Sequence, residues 1–326
     1  MIDLLKDKNK ILIIRLSSLG DILLTTPLIR SIKKQYSKIN IDFLLKEQFQ
    51  DTLFYNKYIT SLYLYEKDEG KLLSNNYDLI IDLQNNFRSR KITKILKKTS
   101  IKFNKHNFDK FLLVHFKLNR LNSLPQIPIR YSNTISNFNL DNNGLDLFLP
   151  GKLNSNFTDK KKYIGFAPGS KHYTKIWPLD YFVKLGKLLN LNGYEIVLLG
   201  GKDDMQVCAQ IKDNLSFAIN LCNNNNLFQT ANDMKICSAL VCNDSGLMHV
   251  ACAVQIPVLA FWGSTVKEFG FTPYKNRNLI LENNSLSCRP CSHIGRNNCP
   301  KKHFKCMKDL TPEMALNKLN ELLNKK

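Results

Sequence analysis

Short apolar runs alternate with helical stretches from one end of the chain to the other, and no other feature of the sequence narrows the fold so far. Ile11 to Leu16 reads as a buried strand, followed by a helix to about Tyr36; then come "INIDFLL", "SLYLY" and "YDLIIDL", the last ending at Leu83. Strands this short, separated by helices, form βαβ units with parallel strands covered on both faces. The pattern weakens through residues 131 to 161, a polar, Asn-rich stretch holding Gly144, Pro150 and Gly151. A second series then begins: "YIGFAPG", a helix over about 178–191, "EIVLLGG", a helix after Asp203, "FAINL", "ALVCNDSG" and "PVLAFWGS". The expected fold class is therefore α/β, with two doubly wound, Rossmann-like parallel-sheet domains facing each other over residues 1–150 and 151–326. A chain of 326 residues, 44% of them hydrophobic, is long enough for two such cores.

The opening "MIDLLKDKNK" is polar, and the first apolar run is broken by Arg15, so the expectation is a chain without a secretory signal that stays in the cytoplasm. The apolar stretch from Gly246 to Gly263 carries His249, Gln255 and Pro257, which suits a buried helix running into a buried strand rather than a membrane span. The formal net charge is +20 and divides evenly, +10 for residues 1–150 and +10 for the remainder. Its local density is uneven. From Arg88 to Arg130 twelve Lys or Arg face one acid, Asp109, which marks an anion-binding patch. No nucleic-acid recognition motif accompanies the charge, so nucleic acid is not an expected partner.

In doubly wound sheets ligands gather at the carboxyl ends of the strands. Four such junctions carry polar groups: Ser17 to Asp21, Gly169 to Lys175, Gly200 to Asp203, and Asn243 to His249. Asp21 stands where a helix N-terminus would otherwise receive a phosphate. As a helix cap it is structural; as a fixed carboxylate it repels a diphosphate and is free to accept a proton from a hydroxyl. "NDSGLMH" follows a buried strand and offers the Ser245 hydroxyl and a close backbone approach at Gly246, with His249 one turn on. "PGSKHYTKIWP" supplies hydroxyls at Ser170 and Thr174 and cations at Lys171 and Lys175, compact charges suited to a departing phosphate, while Trp177 reads as packing.

Taken together, "RLSSLGDILLTTPLIRSIKKQ", "GFAPGSKHYTKIWP", "IVLLGGKDD", "NDSGLMHVACAVQIPVLAFWGST" and "CRPCSHIGRNNCPKKHFKCMKDLTP" resemble glycosyltransferase family 9, the bacterial lipopolysaccharide heptosyltransferases. The resemblance implies a GT-B fold, an N-terminal domain for the acceptor and a C-terminal domain for ADP-heptose. It also implies an inverting reaction that needs no catalytic metal or other cofactor. By the same resemblance Asp21 is the general base and Lys175 the cation at the leaving group. The donor site then comprises Gly169, Ser170, Lys171, Lys175, Asp244, Ser245, Gly246 and His249. Ser245 stands where the family more often has Thr, which keeps the hydroxyl. Ser18 and Gly20, with Arg88, Arg90, Lys97 and Lys98 of the basic segment, are expected to hold an anionic inner-core acceptor of the Kdo-lipid A type. The enzyme would then work peripherally on the cytoplasmic face of the inner membrane.

Nine cysteines remain to be placed. Five are scattered through apolar segments as buried thiols, whereas Cys288, Cys291, Cys299 and Cys306, with His293 and His303 nearby, could enclose a structural zinc or remain plain thiols. Two other functions stay open on the residues alone: transfer of heptose or another sugar to a protein or other glycan, and a nucleotide- or glycan-binding module without turnover. A pure binder has no use for a carboxylate facing the acceptor, which favours an enzyme.

Overall fold

Five parallel strands make the first sheet: β1 (Lys10–Ile14), β2 (Asn40–Leu45), β3 (Ser61–Leu64), β4 (Leu79–Asp82) and β5 (Ser100–Lys102), in the order β3-β2-β1-β4-β5. The computed structural model describes residues 3–151, 153, 157 and 161–324. Six more parallel strands make the second sheet: β6 (Lys162–Ala167), β7 (Tyr194–Leu198), β8 (Ile219–Asn220), β9 (Cys237–Asn243), β10 (Val258–Trp262) and β11 (Asn278–Glu282), in the order β11-β10-β9-β6-β7-β8. Each sheet reverses its winding once, between β1 and β4 in the first and between β6 and β9 in the second. Ile11 to Ile14 in β1 and Ala239 to Cys242 in β9 are fully buried, as central strands covered on both faces must be.

The connections are helical. In the first half they are α1 (Leu19–Leu23), α2 (Thr26–Gln35), α3 (Glu69–Leu73), α4 (Phe87–Leu96), α5 (Asn107–Phe116) and α6 (Ile127–Ser132). In the second they are α7 (Leu179–Leu191), α8 (Met205–Asn214), α9 (Leu227–Met234), α10 (Gly246–Ala253), α11 (Lys305–Lys308) and α12 (Pro312–Asn324). The single helix read from Ser17 to Tyr36 is in fact two. Pro27 sits in the first turn of α2, where its missing N–H costs nothing, and the Thr25 and Thr26 hydroxyls bond to the carbonyls of Ile22 and Leu23. The apolar stretch from Gly246 to Gly263 runs through α10 into β10 as expected. Among the described residues no helix is long and apolar enough to cross a membrane. Trp177 packs in the second core, stacked on Phe261 with ring centroids 4.0 Å apart, and its indole N–H donates to Leu310 O at 2.7 Å.

The chain divides into two compact units, residues 1–107 with 124–148, and residues 108–123 with 149–326. The excursion 108–123 departs from the sequence reading, which kept all of 88–130 in the first domain. A physical reason is at hand within the second unit, where Lys117 Nζ donates to Pro290 O at 2.6 Å and Cys288 O at 3.3 Å.

In the first unit the polar tail after α6 is tied down by buried side chains of α2, with Arg30 making the most contacts beside the Ser31 and Thr26 hydroxyls that accept from Asp141 N and Asp146 N. Arg30 Nε and Nη2 donate to Asp141 at 2.8 and 2.7 Å, Nη2 also donates to Gly144 O at 2.9 Å, and Nη1 pairs with Asp146. Hydrogen bonds from Arg30, joined by Lys34, hold the Asp141 carboxyl well below the usual carboxylate value, while burial pushes Asp146 up. Removing a partner from a buried ion pair leaves an uncompensated charge and costs about 3–5 kcal/mol. Arg30→Ala is therefore expected to lower the unfolding free energy measured in urea by an amount of that order. The contribution of Asp141 is present above its unfolded pKa and disappears as pH falls through its depressed folded value. Wild type should thus lose stability on acidification more steeply than Arg30→Ala, which parallel denaturation curves at falling pH would check.

Candidate functional site

The first unit's candidate residues meet where its sheet reverses. Arg15, the residue after β1, sends Nη1 to Leu83 O at 2.7 Å and Nη2 to Asp21 Oδ1 at 2.6 Å. The other carboxylate oxygen, Oδ2, accepts from Ser18 N–H at 3.1 Å and from the Ser18 hydroxyl at 2.7 Å. The capping contact expected of Asp21 is present, with an ion pair beside it. Asp21 reaches back to the N-cap of α1, and its three donors leave room for one more at a carboxylate able to accept about four. Burial pushes the Asp21 carboxyl up, yet the Arg15 guanidinium and the Ser18 donors outweigh it and hold the group below its ordinary value. Gln84, just after β4, closes the same junction by accepting from Leu16 N and Ser17 N at 2.9 and 3.3 Å. Buried Asp82 shapes the turn into α4, accepting from Gln84 N, Asn85 N and Ser89 Oγ at 2.7–3.1 Å.

Of the expected acceptor residues, Ser18 and Gly20 flank Asp21, and Arg88 and Arg90 begin α4 at the carboxyl end of β4. Lys97 and Lys98 do not join them. They follow the last residue of α4, a ten-residue helix about 15 Å long, and Lys98 Nζ bonds to Asn76, just before the amino end of β4. Density of charge in the sequence does not separate them from Arg88 and Arg90, whereas a helix that follows a strand returns its far end to the amino ends of the strands. Two other cations lie within electrostatic reach of Asp21. Arg15 is one, visible in the sequence only as the charge that interrupts the first apolar run. Lys105, after β5, is the other; burial lowers its pKa and Arg15 lowers it further, while Asp82 and Asp21 oppose them.

The second unit assembles its residues at its own reversal. Lys175 Nζ pairs with Asp244 Oδ2 at 2.6 Å, and the Thr265 hydroxyl donates to the same oxygen at 2.7 Å. Asn243, the last residue of β9, accepts from Trp177 N at 2.9 Å and donates to Pro168 O at 2.7 Å, joining the loop after β6 to the loop after β9. Ser245 is the N-cap of α10 and Gly246 its first residue, yet the Ser245 hydroxyl makes no cap bond and stays partly exposed at the helix N-terminus. His249 is buried one turn along the helix. Ser170 is partly exposed and Lys171 exposed. Gly169 lies against half-buried Asp204, whose carboxylate accepts from Gly201 N at 3.0 Å; a Cβ at Gly169 would stand 1.7 Å from Asp204 Oδ1. Burial raises the pKa of Asp204.

The cysteine-rich segment braces this loop. Thr174 exchanges bonds with Arg296 (N to O at 3.1 Å, and Arg296 N to Thr174 Oγ1 at 2.8 Å), and Cys291 N donates to Ser264 O at 3.2 Å. Gly295, at φ +114°, packs so closely on His172 that a Cβ there would come within 2.5 Å of it. Buried Arg289 donates to Gly263 O, Asn283 O and Thr265 O at 2.6–3.0 Å and pairs with Glu282 at 2.7 Å. The four thiols expected to form a zinc set, Cys288, Cys291, Cys299 and Cys306, are free. Burial raises the pKa of Cys306, and the nearby Cys291, Cys299 and Cys288 add to the rise, but among the described residues no three His, Cys, Asp or Glu side chains are grouped to hold a metal ion. As they stand, they do not fit that metal.

Comparison with known proteins identifies the family and the fold. The profile of glycosyltransferase family 9 (heptosyltransferase) matches residues 69–305. Lipooligosaccharide heptosyltransferase 2 of Campylobacter jejuni subsp. jejuni serotype O:6 is 30% identical over 320 residues, spanning 93% of this chain and 96% of its own. Among solved structures, the glycosyl transferase family 9 protein of Veillonella parvula superposes with a TM-score of 0.79 at 21% identity, over 100% of this chain and 99% of its own. The E. coli ADP-heptose LPS heptosyltransferase II superposes with a TM-score of 0.73 at 23% identity, over 96% of this chain and 98% of its own. The fold is that of the GT-B heptosyltransferase structures, two parallel-sheet α/β domains.

The close approach at Gly169 makes a testable claim on the second unit. Gly169→Ala must displace Asp204 and is expected to cost about 1–3 kcal/mol, as overpacking does. Gly151→Ala meets nothing within 4 Å and should leave the thermal midpoint where it is, so a paired melting experiment separates the contact from any general effect of replacing glycine.

Proposed function

The chain belongs to glycosyltransferase family 9, and from that premise we propose that it transfers heptose from ADP-heptose to a hydroxyl of the lipopolysaccharide inner core. The observation that carries the reading is the polarity of the two ion pairs. In the first unit a carboxylate, Asp21, is held ionised by a cation behind it; in the second a cation, Lys175, is held by the carboxylate of Asp244. A sugar transfer by direct displacement asks for both, a base for the entering hydroxyl and positive charge for the departing diphosphate.

On this reading Asp21 takes the proton from the acceptor hydroxyl as its oxygen attacks the anomeric carbon, and the single displacement inverts that centre. Lys175 and the N–H groups at the start of α10 receive the charge that develops on the leaving ADP, with Ser245 and Gly246 offering hydroxyl and backbone contacts and His249 behind them. Gly169, Ser170 and Lys171 line the approach. These charges do the work a divalent ion performs in other transferases, so the reaction is proposed to need no catalytic metal. Ser18, Gly20, Arg88 and Arg90, with Lys105 added and Lys97 and Lys98 removed, are proposed to hold an anionic, Kdo-bearing lipid acceptor. Such an acceptor places the enzyme at the cytoplasmic face of the inner membrane. The nine free thiols suit a reducing compartment.

Asp21→Asn should lower kcat by about 10²–10⁴-fold, the usual contribution of a general base, and leave ADP affinity unchanged. Arg15→Gln tests the tuning. Since Asp21 acts when ionised and is held below its ordinary pKa, the acid limb of kcat/KM should move to higher pH in that variant; an unmoved limb would remove Asp21 from the role. Calorimetric titration of ADP into Lys175→Ala and Asp244→Ala places the nucleotide. Weaker binding in both is expected, and unchanged affinity in both would take the donor away from this loop. Turnover with ADP-heptose and a Kdo-bearing lipid should persist in EDTA.

A further inference from the structure

The exposed face of α5 is used by neither half of the proposed reaction. Phe108, Phe111 and His115 follow one another at i, i+3 and i+7, the spacing of a single helical face, and Phe116 and Leu118 continue the surface past the helix end. Phe108 is 65% exposed, Phe111 49%, Phe116 62% and Leu118 54%. Leu113, on the other side of the helix, is buried. These exposed aromatics do not complete a core as does Phe103, which packs edge-on against Tyr131 at 4.8 Å in the first unit. The rings of α5 turn instead to each other, Phe111 lying 4.5 Å from His115 and 5.9 Å from Phe116.

A contiguous apolar surface of this kind on a folded unit marks a contact with something else. Charge decides what. Lys110, Lys117 and Arg120 are interleaved with the rings in the sequence, and Asp109 is the sole acid in the whole segment from Arg88 to Arg130. A second copy of this chain, itself at +20, would bring cations against cations across a two-fold contact. An anionic bilayer presents phosphates at the depth of the cations and acyl chains at the depth of the rings, the arrangement of interfacial amphipathic helices. The bonds from Lys117 Nζ to Pro290 O and Cys288 O fix the end of α5 to the second unit, so the face is presented on a rigid support.

We infer that α5 and the turn after it, residues 107–120, are an interfacial anchor that seats the second unit on an anionic membrane surface. The inference rests on the proposed membrane-lipid acceptor for its biological sense, but its test does not. Vesicles of phosphatidylglycerol and phosphatidylethanolamine should sediment the full chain, and pure phosphatidylcholine vesicles should not. The variant with Phe108→Ser, Phe111→Ser and Phe116→Ser should bind the anionic vesicles at least about tenfold more weakly, with unchanged melting and ADP affinity. Lys110→Glu with Arg120→Glu should do the same through charge, without touching the rings. A single Phe111→Trp should blue-shift its emission on anionic vesicles only. Vesicle binding that survives the triple serine change, or an indole that stays in water, overturns the anchor. A wild-type dimer that dissociates in the triple variant also overturns it, in favour of self-association. Transfer to a water-soluble, deacylated acceptor should be unaffected by these changes. Its absence in wild type would sink the proposed acceptor and leave the vesicle result standing.

Discussion

Where a parallel sheet reverses its winding, the loops leaving two adjacent strands part company, and the backbone groups at the fork lose the ladder partners that every other strand end enjoys. Both units answer that constraint with one side-chain amide. Gln84 accepts the N–H groups of Leu16 and Ser17, and Asn243 holds the Pro168 carbonyl and the Trp177 N–H. A buried polar group left without a partner costs about 1–3 kcal/mol, so each amide spares its fork more than one such loss. The forks are also where a ligand most readily reaches the strand ends of each sheet. The same residues that satisfy the backbone therefore fix the direction in which the Asp21 and Lys175 loops leave. Arg15, through Leu83 O, and Thr174, through Arg296, extend the stitching outward.

Much of the architecture was legible because burial on both faces writes itself into the sequence. β1, β4, β9 and β10 are largely apolar runs, and the forks fall at the polar residues that end them. The edges were harder to read. β5 is three residues long with an exposed lysine, and β11 mixes asparagine and glutamate with its apolar residues, since an edge strand is buried on fewer sides. The division of the first helix at Pro27 was written in the sequence as a proline, yet the apolar periodicity runs across it. The excursion 108–123 could not have been read at all: its tie, Lys117 to Pro290, spans 173 positions and uses a carbonyl that any residue could supply.

The site was legible in its chemistry and not in its geometry. Asp21, Lys175, Asp244 and Ser245 stand at strand ends, where sequence and position coincide. Lys97 and Lys98 share the charge density of Arg88 and Arg90, a quantity that ignores the return of a helix to the amino ends of the strands. Arg15 is inconspicuous for the reverse reason, as one charge at the end of a strand with no motif around it. The phenylalanines of α5 look in the sequence like those of a core, and only their exposure separates them from Phe103.

The two ion pairs are chemically alike and mounted in opposite senses. Asp21 is the more exposed member of the first, at 16% against 10% for Arg15, whose guanidinium is also committed to a carbonyl behind it. Lys175 is the more exposed member of the second, at 15% against 9% for Asp244, whose carboxylate is also committed to Thr265. An isolated charge this far from water would shift its pKa and neutralise; a paired one keeps its charge while it waits. What each unit then offers is the charge of the outer member, with the inner member as its permanent counterion. Under the proposed reaction, a proton arriving at Asp21 would weaken the hold of Arg15, and a phosphate arriving at Lys175 would compete with Asp244. In both places the resting pair is strong enough to fix the side chain and is relaxed by the proposed reaction itself.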